Sequence, residues 1–309
     1  MIRRKVPQKI ISFMARMLTD REMNLRFDDY ISEAISLDNG IGQGDPLSMG
    51  LYQYYNADLL DILAEPNQLA IAYVNDAILY MSGSTFEETH KDLINMMMKE
   101  KGVIDWSMDH NSPLESSKLA LIDFSHHSCR ITRPNLILPH GTVEPKPSVK
   151  YLGVILNQHL NWALQYANII EKGSNWTTQI RRVTRPGWGI TPKYARKLYI
   201  GVALPKILYR ADVWYMPPPA RKSDNRKRRK GIVKITKKLT SIQRAGTLTI
   251  TGGLCTSPTD TLDALANTLP IESTIEKWCF RAAVRLASLP DWHPVTRGLR
   301  IGLASTYVD

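Results

Sequence analysis

The chain has 309 residues, 43% of them hydrophobic and 22% charged, with a formal net charge of +11. That length accommodates one large domain or two ordinary ones with substantial cores. Three scattered cysteines, Cys129, Cys255 and Cys279, argue against a disulfide framework and for a reducing, intracellular compartment, and no apolar run approaches the roughly 20 residues of a membrane span, so no membrane partner is expected.

The first half alternates helical and strand patterns. Ile10, Ile11, Phe13, Met14, Met17 and Leu18 follow Pro7 at helical spacing, which favours a packed amphipathic helix over a targeting peptide. Met23–Ile35 reads as a pair of short strands around Asp28–Asp29–Tyr30. Asp45 followed by Pro46 is a helix start, an acidic cap before proline at the first helical position. That helix extends to about Leu63 and buries Leu47, Leu51, Tyr54, Tyr55, Leu59 and Ile62 on one face. Ala70–Met81, AIAYVNDAILYM, has two apolar runs joined by a two-residue turn, with polar Asn75 and Asp76 at the tip of the hairpin. Thr85 caps a helix to about Lys101, with Glu88 in the capping-box position. Strands are expected at Lys118–Phe124 and Lys150–Leu156, separated by the proline-rich Pro134–Pro147.

From Trp162 the pattern is helical: Trp162–Thr184, a segment beginning at Thr191–Pro192, then Ile235–Thr249, Pro258–Thr268 and Ile271–Ala287. Residues 217–230, PPPARKSDNRKRRK, lack apolar periodicity and read as a mobile loop. Charge divides the chain unevenly. Residues 1–170 carry 15 Lys/Arg against 20 Asp/Glu, residues 171–238 carry 19 against 3, and residues 239–309 carry 6 against 6. A central segment of +16 attracts polyanions. Its cations Lys172, Arg181, Arg182, Arg185, Lys193, Arg196 and Lys197 are interleaved with Trp176, Trp188, Tyr194 and Tyr199. Such a pattern can track a phosphate backbone while offering faces for stacking. The bland alternative is an aromatic core with cations extending to solvent. Arg226–Lys230, with Arg221 and Lys222 upstream, is also compatible with a nuclear import signal or a loose RNA tether.

Gly40–Ser48, GIGQGDPLS, places glycines where backbone can approach a ligand, beside an amide at Gln43 that can donate and accept. This segment resembles the QG motif of reverse transcriptases, with Gln43 and Gly44 at the nucleotide and template side. Tyr73–Val74–Asn75–Asp76 resembles their YxDD box. Leu114–Leu121 is similar to the segment that carries a lysine, here Lys118, near the incoming nucleotide's phosphates. Lys150–Tyr151–Leu152–Gly153 resembles the primer-grip hairpin, with Tyr151, Leu152 and Gly153 at the grip. The order of motifs is most like the reverse transcriptase of non-LTR (LINE-type) retrotransposons, over about Asp20 to Leu286. The resemblance implies an α+β right-hand polymerase fragment. Residues 1–160 would form an incomplete palm, an antiparallel sheet with helices, and residues 161–309 a basic helical thumb and connection. It further implies an RNA template, a DNA primer, deoxynucleotides and Mg²⁺ as partners, with Arg181, Arg182, Arg185, Arg196 and Lys197 on the nucleic-acid backbone.

Two departures qualify the implied activity. Such palms hold paired divalent ions between carboxylates from two separate strands. The strand bearing the first acid would precede residue 1, so the resemblance implies an N-terminally truncated fragment. Asp28–Asp29 is a tempting substitute, but in the resembling sequences it lies in a hairpin before the QG motif. The YxDD box has aspartate where this chain has Asn75, leaving Asp76 as the remaining acid, and hard divalent ions depend on carboxylate charge. The expectations are therefore a catalytically impaired polymerase fragment, a nucleic-acid-binding module without catalysis, or a remnant that folds poorly.

Overall fold

The computed structural model describes the chain except for residues 39, 43, 63–66, 126–131, 140, 186–187, 216–225, 292, 294 and 297–309. The chain divides into two compact units, Met1–Leu121 with Ile131–Pro145, and Ile122–Arg130 with Lys146–Asp309. The hairpin at residues 148–157 thus belongs with the second unit, whereas a boundary at 160 assigns it to the first.

The first unit opens with α1 (Gln8–Leu18), none of whose side chains is buried. Four two-residue strands follow: β1 (Glu22–Met23), β2 (Arg26–Phe27), β3 (Tyr30–Ile31) and β4 (Ile35–Ser36). β2 pairs with β3 around Asp28–Asp29, and β1 pairs with β4 outside them. Next comes α2 (Pro46–Leu60), started as its sequence dictates: the Asp45 carboxylate accepts the Leu47 N–H at 3.1 Å, and Pro46 takes the first helical position. Its buried face is Ser48, Leu51, Asn56 and Leu59, not the wholly apolar stripe expected, because Leu47, Tyr54 and Tyr55 are exposed. The hairpin of β5 (Gln68–Tyr73) and β6 (Asp76–Met81) packs beside α2 and α3 (Phe86–Met98).

Thr85 caps α3 by accepting the Glu88 N–H, and Glu88 reaches back to the Ser84 N–H at 3.0 Å. A second helix, α4 (Val103–Asp109), then begins, and Leu59, Met97, Val103 and Trp106 close a small core with Ile62, Leu79 and Leu138. The expected strand at Lys118–Phe124 does not form. Ser116–Lys118 is a single 3₁₀ turn, and the segment makes one bridge, Leu121 to Pro145. Proline has no N–H to donate, which stops the ladder there. β7 (Leu136–Leu138) and β8 (Gly141–Val143) form a further small hairpin.

In the second unit, residues 150–156 are not one strand. β9 (Ser148–Tyr151) and β10 (Val154–Asn157) form a hairpin turning at Leu152–Gly153. Both turn residues have positive φ, 45° and 83°, the backbone a tight two-residue turn demands. α5 (Ala163–Val183) follows, then the short pair β11 (Thr184–Arg185) and β12 (Trp188–Gly189). α6 (Pro192–Leu198) runs through a π-helical turn, Tyr199–Ala203, into α7 (Leu204–Ile207), and α8 (Ala211–Trp214) comes after a break at Arg210.

The longest element is α9 (Arg226–Thr251), followed by α10 (Thr259–Leu265) and α11 (Ile271–Ala287). Residues 226–230, read from sequence as part of a mobile loop, are therefore the first turns of a helix, and 217–225 lie outside the described residues. The core gathers Tyr199, Leu208, Trp214, Leu239 and Ile275, each at most 1% exposed. α5 and α9 pack against each other where Gly173 meets Ile242, and Gly246 of α9 lies against the Tyr199 ring. A Cβ at 246 would stand 2.7 Å from Tyr199 Cε2, so this crossing requires glycine.

Candidate polymerase-like site

The tip of the β5–β6 hairpin lies one residue earlier than its sequence suggests. Tyr73 pairs with Asp76, so the turn residues are Val74 and Asn75, and Asp76 opens β6. Val74 has φ 56°, an unusual conformation for a β-branched side chain. Its carbonyl is held by Asn56, a buried residue of α2 that donates from Nδ2 at 2.9 Å. The Asn56 Oδ1 is buried without a hydrogen-bond partner among the described residues. Sequence reasoning missed this anchor. The available signal was an asparagine, a poor helix former, three residues before the buried Leu59 on the same helix.

Asn75 and Asp76 are both exposed. A pair of divalent ions needs several carboxylate oxygens converging from separate strands. Asp76 supplies one carboxylate, Asn75 supplies a neutral amide, and among the described residues no three His, Cys, Asp or Glu side chains converge. The donor set at this tip does not fit a two-metal centre. Asp28 and Asp29 form the turn of a separate exposed hairpin, as their place before the glycine segment suggested.

Gly44 has φ 88° just before α2, and a Cβ there would meet nothing within 4 Å, so backbone conformation alone calls for glycine. Gln43 lies outside the described residues. Lys118 is exposed and ion-paired with Glu115, whose carboxylate also accepts from Ser117 Oγ at 2.7 Å. The pair holds the Glu115 carboxyl below its ordinary range, first through Lys118, and holds the Lys118 ammonium above its own.

The β9–β10 hairpin, with Tyr151, Leu152 and Gly153, is gripped from two sides. Tyr209 Oη donates to the Leu152 carbonyl at 3.1 Å, and its ring lies under Gly153, where a Cβ would fall 2.8 Å from Cε1. Gln165, buried on α5, accepts the Ile155 N–H at 2.9 Å. Trp214 Nε1 in turn donates to the Tyr209 carbonyl at 2.9 Å. Neither Tyr209 nor Gln165 was legible as a clamp, since each contact spans a distance that no local pattern encodes.

The basic residues fall into different roles. Arg181 and Arg182 are exposed in the last turn of α5, where positive charge suits the helix dipole. Arg196 donates to the carbonyls of Ala266 and Asn267 at 2.8 and 2.7 Å, closing the end of α10. Lys197 lies 5.7 Å from the Tyr194 ring centre and Lys206 lies 4.4 Å from that of Trp176, both cation–π contacts. Arg244 binds Thr259 Oγ1 and the Cys255 carbonyl. Arg185 belongs to β11, and its side chain lies outside the described residues.

No protein-family model matches the chain. No solved structure matches it. Three proteins of type-1 retrotransposable elements are similar. A retrovirus-related Pol polyprotein of element R1 from Nasonia vitripennis is 25% identical over 161 residues, 51% of this chain and 47% of that protein. A putative 115 kDa protein of element R1DM from Drosophila melanogaster is 24% identical over 163 residues, 51% of this chain and 15% of that protein. An R1 Pol polyprotein from Bradysia coprophila is 23% identical over 180 residues, 57% of this chain and 17% of that protein. The matched stretch thus spans about half of the first relative and about one-sixth of the others. These similarities support a retrotransposon-related protein. Among the described residues, no helix is long and apolar enough to cross a membrane.

Proposed function

We propose that the chain derives from the reverse-transcriptase region of a non-LTR retrotransposon. In this reading the first unit is palm-like, the helical second unit is thumb-like, and the chain holds primed-template nucleic acid but is impaired in polymerisation. The observation that carries the reading is the β5–β6 hairpin, which follows a glycine segment and a helix and places Asn75 in its turn and Asp76 at the start of β6. Similarity to R1 Pol polyproteins supports the ancestry. In polymerase palms Mg²⁺ activates the primer hydroxyl and steadies the leaving pyrophosphate. Asn75 beside a single exposed Asp76 is a poor basis for that chemistry, because divalent ions depend on carboxylate charge.

A primer-extension assay on a primed RNA template, with Mg²⁺ or Mn²⁺, tests the proposed impairment. The expected result is no template-dependent product from either the wild type or Asp76→Ala. Product from the wild type that Asp76→Ala abolishes would refute it.

The strongly basic segment supports the non-catalytic part of the reading. Residues 171–238 carry 19 Lys/Arg against 3 Asp/Glu, a density suited to phosphate backbones.

A further inference from the structure

Six cations of the second unit have a structural task that accounts for them. Arg196 closes α10, Arg244 ties down the 255–259 segment, Lys197 and Lys206 lie over aromatic rings, and Arg181 and Arg182 complement the dipole of α5. The solvent face of α9 has no such account. Its sequence from Arg226 to Thr251 contains nine Lys/Arg and no Asp or Glu. Ile232, Ile235, Leu239, Ile242 and Gln243 form the buried face, and Lys234, Lys237 and Lys238 are exposed on the other side. None of these three lysines has an acidic partner among the described residues.

This arrangement works against the helix itself. Lys234 and Lys238 stand at i and i+4, and Lys234 and Lys237 at i and i+3, like-charge spacings that cost a few tenths of a kcal/mol per pair. The first turn contains no acidic residue to match the positive end of the helix dipole. A local choice that opposes its own element, with no compensation inside the fold, points to a use outside it. The register extends in sequence to Arg226, Lys227 and Lys230, so the basic positions run over roughly 20 Å of helix.

We infer that the outer face of α9, centred on Lys234, Lys237 and Lys238, is a docking surface for the phosphodiester backbone of a nucleic acid. Arg181, Arg182, Arg196 and Lys197 of α5 and α6 are then mainly structural. A row of ammonium groups on one helix face is a set of point charges without base-reading geometry, so binding through it is sequence-tolerant and strongly salt-dependent. The inference deepens the proposed function and rests on its non-catalytic part.

The test uses the full chain and a labelled 20-nucleotide RNA, read by fluorescence anisotropy between 50 and 200 mM KCl. The variants are K234Q/K237Q/K238Q, the charge-keeping K234R/K237R/K238R, and R181Q/R182Q. Loss of three phosphate contacts should reduce the magnitude of the salt slope by about 2–3. The fall in affinity across that fourfold salt range then shrinks by roughly 15–60-fold. The arginine triple should retain wild-type binding, and R181Q/R182Q should change the slope by less than the glutamine triple. A glutamine triple with unaltered slope, while the wild type binds, would overturn the inference and leave the proposed function standing. Absence of binding by the wild type would overturn both. Wild-type binding to phosphatidylserine vesicles that outcompetes the RNA and is lost in the glutamine triple would also overturn it, assigning the face to a membrane surface.

Discussion

Val74 and Asn56 determine how the β5–β6 turn is held. A β-branched residue at φ 56° is strained, and the hydrogen bond from Asn56 to its carbonyl is one contact that fixes it. Val74→Asn should raise stability by about 0.5–1 kcal/mol, because asparagine tolerates the left-handed region; the midpoint of urea unfolding reads this. Asn56→Ala should lower stability by about 1–2 kcal/mol, since the Val74 carbonyl loses its donor. An unchanged midpoint for Asn56→Ala would mean that water replaces the bond without cost. The sequence marked this turn as a hairpin because both flanks are apolar and β-prone. It did not mark the register, because Val74 is a poor turn residue that local propensity places in the strand.

At the scale of elements, several helix starts were legible, as were the short strands around Asp28–Asp29, whereas α4, the start of α9 and the failure of a strand at Lys118–Phe124 were not. The start of α2 follows from Asp45–Pro46, that of α3 from Thr85 and Glu88, and α11 has the bounds its periodicity suggests. The strand at Lys118–Phe124 failed because a strand depends on a partner, and the facing segment carries Pro145. The helical start at Arg226 was hidden for the opposite reason: a run of like charge has no apolar periodicity, so tertiary packing of the downstream half carries those turns into helix. Gly246 is a close-approach glycine that the sequence presents only as an interruption in a helical pattern. Gly246→Ala should destabilise by about 1–3 kcal/mol through overpacking against Tyr199. Gly201→Ala is its control, since a Cβ there meets nothing within 4 Å.

At the scale of the whole molecule, one buried phenol gives the stability an alkaline limit. Burial first, and then the charge of Asp263, push the Tyr199 hydroxyl well above the ordinary tyrosine range. The folded chain therefore keeps this proton after an unfolded tyrosine loses its own near pH 10. Its contribution is fully present below about pH 10 and is lost as pH rises beyond it. Thermal unfolding from pH 8 to 11 should show that decline, and Tyr199→Phe should flatten it; an equal decline in both would assign the limit to other groups.

The proposed account separates holding nucleic acid from extending it. The most direct measurement isolates the complex of the full chain with a primed RNA template on a native gel at low salt. Deoxynucleotides are then added with Mg²⁺ or Mn²⁺, and primer length is read. The account predicts a complex that dissolves as salt rises and a primer that keeps its original length. A primer lengthened within the complex, or no complex at low salt, would contradict it.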